Sequence, residues 1–126
     1  MNINYPLGDF LIKFKNAAMA KNKTFEMRGT KQVLAVAEAL KRAGYIEKVT
    51  LKGARATIAL AFRHKRPVLT NLKLVSKPGL RIYMDTWILG KRRKPSILLI
   101  STPKGILTSK EALKQGVGGE VIVEVL

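Results

Sequence analysis

Side-chain catalysis requires a nucleophile or proton acceptor held beside a group that tunes it. The one histidine, His64, stands among cations in "RHKR", with no acid beside it to form a catalytic pair. An exposed histidine or a phosphate contact fits it better than a general base. The acids, Asp9, Glu26, Glu38, Glu47, Asp85, Glu111, Glu120 and Glu124, show no metal-ligand spacing, and no His-Glu-x-x-His pattern occurs. Glu120 and Glu124 lie on one expected strand at a spacing that puts both on the same face, which reads as a solvated face and not a catalytic dyad. The chain has no cysteine, which removes disulfides and thiolate zinc sites and fits the cytosol. "GVGGE" lacks the Gly-x-Gly-x-x-Gly spacing and follows an expected helix instead of opening one. "TPKGILTS" lacks the Gly-Lys-Ser/Thr of a phosphate loop. No enzyme activity, metal or cofactor is expected.

Binding is left. The closing stretch, "STPKGILTSKEALKQGVGGEVIVEVL", offers hydrogen-bonding groups at Ser101, Thr102, Lys104 and Thr108, beside glycines that let backbone approach a ligand closely. The plainer reading, turns and helix caps, weighs most for Thr108 and Ser109. Tyr83 closes "GLRIY" near Arg81, an aromatic beside a cation that suits stacking on an unpaired base; a strand tyrosine half-packed on the core fits equally. "GKRRKP" gathers Lys91, Arg92, Arg93 and Lys94 in an expected basic loop, a natural phosphate clamp, with Trp87 and Ile88 before it as anchors.

The global charge supports that reading. Among 126 residues, 24 Lys+Arg stand against 8 Asp+Glu, a formal +16, spread over the whole chain. So many like charges repel one another unless a polyanion compensates. The longest apolar runs, such as "VLAVAEAL" and "SILLIS", fall short of the ~20 residues of a membrane span. "MNINYPLGDF" lacks the basic and apolar regions of a signal peptide. A soluble, cytoplasmic polyanion binder is expected.

Elements must hold these groups in place. Leu7, Phe10, Leu11, Phe14, Ala17 and Ala18 recur at helical spacing and predict an amphipathic helix from Pro6 to about Ala20, with Lys13, Lys15 and Asn16 off its apolar stripe. "KTFEM" reads as a strand. Thr30 caps a second helix over Lys31–Ala43 that buries Val33, Leu34, Ala37 and Leu40, and Gly44 stops it. "YIEKVTL" and "RATIALAF" form a hairpin about Lys52-Gly53, with Ala56, Ile58, Leu60 and Phe62 on one face. "RHKRP" marks a junction. Beyond it come the strands "LKLVS", "LRIY" and "SILLIS", a turn at "TPKG", a short helix through Gln115, and "EVIVEVL" as the last strand. The class is α+β: an α-β-α-β-β lobe over residues 1–64, then a β-rich lobe with one short helix over residues 65–126.

"PLGDFLIKFKN", "ALKRAGYIEK", "VSKPGLRIY", "STPKGILT" and "EALKQGVGGEVI" occur in the order found in the bacterial small-subunit ribosomal protein eight family, and the chain resembles it over nearly its whole length. The resemblance implies a two-lobed α+β protein that binds the central domain of small-subunit ribosomal RNA, organises assembly early and contacts neighbouring ribosomal proteins. In some bacterial members it also implies repression of the protein's own messenger RNA. The carboxy-terminal lobe is implied to make the main RNA contact, through Ser101, Thr102, Lys104, Gly105 and Thr108, through Tyr83 after the turn Lys77, Pro78, Gly79, and through Gly118, Gly119 and Glu120. Glu120 is implied either to touch a base or to order the loop by accepting from its amides or hydroxyls. In the first lobe, Lys13, Lys15, Asn16 and Lys31 match basic or polar positions that touch RNA in the family.

Departures from the family pattern affect individual contacts. Pro103 replaces a usual serine, removing a hydrogen bond and stiffening the loop. Leu113 stands where an arginine is common, Val33 where a second helix lysine is usual, and Tyr5-Pro6 where the family opens with Asp-Pro. The competing reading, from another class, is a sequence-indifferent architectural protein that binds RNA or DNA through counterion release.

Overall fold

The computed structural model of the chain describes residues 5–77, 79–93 and 95–126. It divides into two compact units, residues 1–70 and 71–126. In the first unit, α1 (Tyr5–Met19) presents Leu7, Phe10, Leu11, Phe14, Ala17 and Ala18 to the interior, as the helical spacing predicts. Phe10, Phe14 and Phe25 form an aromatic cluster with centroids 5.8–6.2 Å apart. The strand β1 (Thr24–Arg28) supplies Phe25.

The second helix, α2 (Lys31–Arg42), starts where Thr30 Oγ1 accepts from the Val33 amide. It ends with Gly44 at φ +92, while the Tyr45 amide donates back to Leu40 O and closes the last turn. Its buried set is Val33, Val36, Ala37, Ala39 and Leu40; Leu34 stays half-exposed beside Gly29. The hairpin of β2 (Ile46–Lys52) and β3 (Arg55–Leu60) joins β1 in an antiparallel sheet of order β1-β3-β2. Ala56, Ile58 and Leu60 are buried, but β3 stops before Phe62, which is only half-buried. The run expected as a junction is instead a tight hairpin, β4 (Phe62–Arg63) against β5 (Arg66–Pro67), turning on His64 and Lys65 at φ +53 and +66. Val68 N–H then donates to Ala61 O, which keeps the following residues with the first unit.

In the second unit, β6 (Leu72–Leu74), β7 (Tyr83–Met84), β8 (Ile97–Thr102), β9 (Gly105–Thr108) and β10 (Gly119–Val125) form one antiparallel sheet. Its order is β6-β10-β8-β9, with β7 also paired to β10. The helices α3 (Thr86–Lys91) and α4 (Ser109–Gln115) belong to the same unit, whose core joins Leu89, Leu98, Ile100, Leu107, Ala112 and Val121. Two elements escape the sequence pattern. Gly105–Thr108 pairs as a strand although four residues show little alternation. Thr86–Lys91 is a helix opened by Asp85, whose carboxylate accepts from the Ile88 amide at 2.9 Å. That cap was the available signal for α3. No helix among the described residues is long and apolar enough to cross a membrane.

Candidate RNA interface

The central strand β10 brings distant positions of the second unit together. Glu120 lies across from Tyr83 on one side and across from Ser101 on the other. Directly paired residues share a face, so Tyr83, Glu120 and Ser101 form a row across three strands. Tyr83 is 66% exposed and is therefore not a half-packed core tyrosine. The Ser101 hydroxyl is half-buried and has no hydrogen-bond partner among the described residues. Glu120 accepts from Arg81 Nη1 at 3.0 Å, which orders the strand that carries Tyr83 instead of the hydroxyl loop.

The stretch before Tyr83 is closed on itself. Lys77 and Leu80 exchange backbone hydrogen bonds of 2.9 Å with Gly79 at φ +81, and the Ser76 hydroxyl accepts from the Ile82 amide at 3.0 Å. Lys77 and Gly79 are exposed, whereas Pro78 lies outside the described residues. At the other side of the row, Thr102 and Gly105 pair across a two-residue turn, with Gly105 at φ +110. Thr102 Oγ1 donates to Gly105 O at 2.8 Å and accepts from the Lys104 amide at 3.1 Å. Its hydroxyl builds the turn, and the turn presents the exposed Pro103 and Lys104.

Gly118 and Gly119 have a packing reason of their own. A Cβ on Gly118 would lie 2.7 Å from Asp85 Cα, and one on Gly119 would lie 2.9 Å from the Ser101 carbonyl carbon and nearer still to its oxygen. Only bare backbone lets β10 enter between β7 and β8 at this level.

Two expected site residues turn inward. Thr108 is buried, and its hydroxyl accepts from the Glu111 amide while Glu111 accepts from the Thr108 amide, a reciprocal cap on α4. Its expected RNA contact is corrected to a structural one. Thr108→Ala should lower stability by about 1 kcal/mol, read by chemical denaturation, with RNA preference intact. Arg92, expected in a phosphate clamp, has a side chain only 15% exposed. It donates to Ser96 O at 2.7 Å and Glu124 Oε2 at 3.1 Å, and also to Ser96 Oγ, which itself bonds Glu124. Glu124 reaches this network because β10 slips register between Val121 and Val123. The slip reverses the alternation, so Glu120 and Glu124 face opposite sides of the sheet and the same-face expectation fails.

The basic loop is also shorter than expected, since Gly90 and Lys91 belong to α3. Trp87, 66% exposed, is no buried anchor; Leu89 is, and the Lys91 ammonium sits 3.4 Å from the Trp87 ring centroid. Arg93 is exposed and donates back to Gly90 O, and Lys94 lies outside the described residues. In the first unit Lys13, Asn16 and Lys31 are exposed and Lys15 is half-buried; Lys13 Nζ lies 3.5 Å from Glu26 O. Val33 is fully buried, so no lysine could replace it there without a buried charge, while Leu113 is 39% exposed against Gly90.

Among the described residues, no group of His, Asp or Glu is placed to hold a metal. A family model for Ribosomal protein S8 matches residues 5–126. The chain belongs to the ribosomal protein S8 family. It is a structural, non-enzymatic constituent of the ribosome. It is 39% identical to small ribosomal subunit protein uS8 of Roseiflexus castenholzii over 128 residues, 97% of each chain. The same identity over 132 residues, again 97% of each chain, relates it to the uS8 proteins of Burkholderia mallei and Burkholderia thailandensis. The motif order that resembled this family thus extends through both units.

Proposed function

We propose that this S8-family chain binds small-subunit ribosomal RNA directly, in its central domain, and helps organise assembly of the small subunit in the cytoplasm. The row of Tyr83, Glu120 and Ser101 carries the reading: the exposed aromatic face of Tyr83, suited to an unpaired base, stands in line with the half-buried Ser101 hydroxyl, which has no partner among the described residues, in a chain of formal charge +16. The turn that presents Lys104 and Gly105 supplies a cation and open backbone at the end of the row, with Thr102 holding its shape. Gly118 and Gly119 bring the strands close enough for the row to exist. Lys77, Gly79, Lys91 and Arg93 lie exposed in the same unit and add phosphate contacts; Lys13, Lys15, Asn16 and Lys31 do so from the first unit. Neighbouring small-subunit proteins are the further partners, and a messenger that copies the RNA shape would occupy the same row.

Competition binding tests this reading. A central-domain RNA fragment should outcompete scrambled duplex RNA well beyond the ~10⁻⁴–10⁻⁶ M of non-specific binding. Tyr83→Ala should weaken the cognate complex roughly tenfold through the lost stack, with the salt slope nearly unchanged. Equal affinity of the intact chain for both RNAs would reject the proposal in favour of a sequence-indifferent binder.

A further inference from the structure

The second unit holds four acids, Asp85, Glu111, Glu120 and Glu124. Three of them serve the fold: Asp85 caps α3, Glu111 caps α4, and Glu124 bonds Arg92 and Ser96. Glu120 stands instead between Tyr83 and Ser101, in the middle of the row read as the RNA contact, on a chain of formal charge +16. An acid at that place opposes the attraction for phosphate that the surrounding charge creates.

Its partner explains the placement. Glu120 Oε2 accepts from Arg81 Nη1 at 3.0 Å, and Arg81 is exposed. Left alone, that guanidinium would be a ready ligand for the backbone of any duplex. Paired, its charge is cancelled and the middle of the row is neutral, while Lys77 and Lys104 stay exposed in the turns on either side. We propose that Glu120 is a specificity-determining residue of this row, which masks Arg81 from phosphate and reserves the place for an unpaired nucleotide that offers hydrogen-bond donors. The inference rests on the reading of the chain as an rRNA-binding protein.

The chemistry of the carboxylate selects the nucleotide. Glu120 Oε1 has no partner among the described residues. A carboxylate only accepts, and phosphate oxygens only accept, so the two repel and cannot bond. Base amino and imino groups and ribose hydroxyls donate, and an unpaired base has its Watson–Crick edge free to do so. A regular duplex keeps those edges paired and turns its phosphates outward, so it gains nothing from the middle of the row. Affinity for backbone is given up there, and rejection of the wrong RNA is gained.

The test compares binding of a central-domain RNA fragment and of scrambled duplex RNA by the full chain and its variants. Glu120→Gln frees Arg81 from a charged partner and keeps the side chain's shape. It should bind the duplex about fivefold tighter at about 0.15 M salt and steepen the slope of log K against log salt by about 0.7–0.9, the effect of one added phosphate contact. The central-domain fragment should bind no tighter, so the preference should shrink at least about fivefold. Arg81→Gln/Glu120→Gln, neutral again, should return the duplex affinity to that of the wild type. Should Glu120→Gln fold poorly, Glu120→Thr, a residue suited to a central strand, carries the same predictions. A folded variant that leaves duplex affinity unchanged, or weakens both RNAs alike with a lower melting temperature, overturns the proposal and makes Glu120 a brace for the strand. Duplex affinity that stays raised in the double variant overturns it too, since Arg81 is then not what Glu120 masks. A wild-type chain with no preference for rRNA is a different result, and it overturns the function reading and this inference together.

Discussion

Gly119→Ala is expected to destabilise the second unit by about 3 kcal/mol or more, the upper end for overpacking. The reason is space. The added Cβ would stand 2.9 Å from the Ser101 carbonyl carbon and 3.3 Å from Ile100 Cγ2, closer to Ser101 O than to either. Those obstacles are largely backbone of β8, which cannot rotate aside as a flexible side chain would. Relief requires β10 to withdraw from β8, and withdrawal breaks the Glu120–Ser101 pairing. Chemical denaturation should show the loss, and cognate RNA preference should fall with it. Gly8→Ala makes the contrast: nothing lies within 4 Å of a Cβ there, and α1 should gain about 0.5–1 kcal/mol. A Gly119→Ala chain within 1 kcal/mol of wild type would show that β10 does not depend on this close approach.

Arg92→Ala should cost about 2–3 kcal/mol, somewhat below the 3–5 of a fully buried pair because Glu124 is 28% exposed. Removing the guanidinium takes a charged partner from the Glu124 carboxylate and loosens the tie between the segment after α3 and β10, which the Ser96–Glu124 bond still holds. The salt slope of RNA binding should stay as in wild type. Arg93→Ala should do the reverse, flattening the slope by about 0.7 with stability within about 0.5 kcal/mol. If Arg92→Ala flattens the slope and leaves the denaturation midpoint alone, Arg92 is a phosphate ligand after all.

These two residues also mark where reading the chain linearly succeeds and fails. Arg92 and Arg93 are neighbours in a basic run and look equivalent. Their roles separate because Ser96 and Glu124 meet one of them, and Glu124 arrives from far along the chain through a register slip. A single-residue slip moves side chains to the other face, and nothing in the alternation of "EVIVEVL" announces it. Gly118 and Gly119 were legible as positions of close approach, but what approached, β7 and β8 backbone, was not.

Read linearly, the chain already yields the α+β class, the buried stripe of α1, the Thr30 and Gly44 ends of α2, the lack of a catalytic constellation and the excess of positive charge. Each of these depends on residues within a turn or two of one another, or on summed charge. The folded chain alone reveals that Tyr83, Glu120 and Ser101 stand in one row and that Thr108 and Arg92 turn inward. Those facts follow from strand order and register, which join residues distant in the chain by hydrogen bonds that no local pattern encodes.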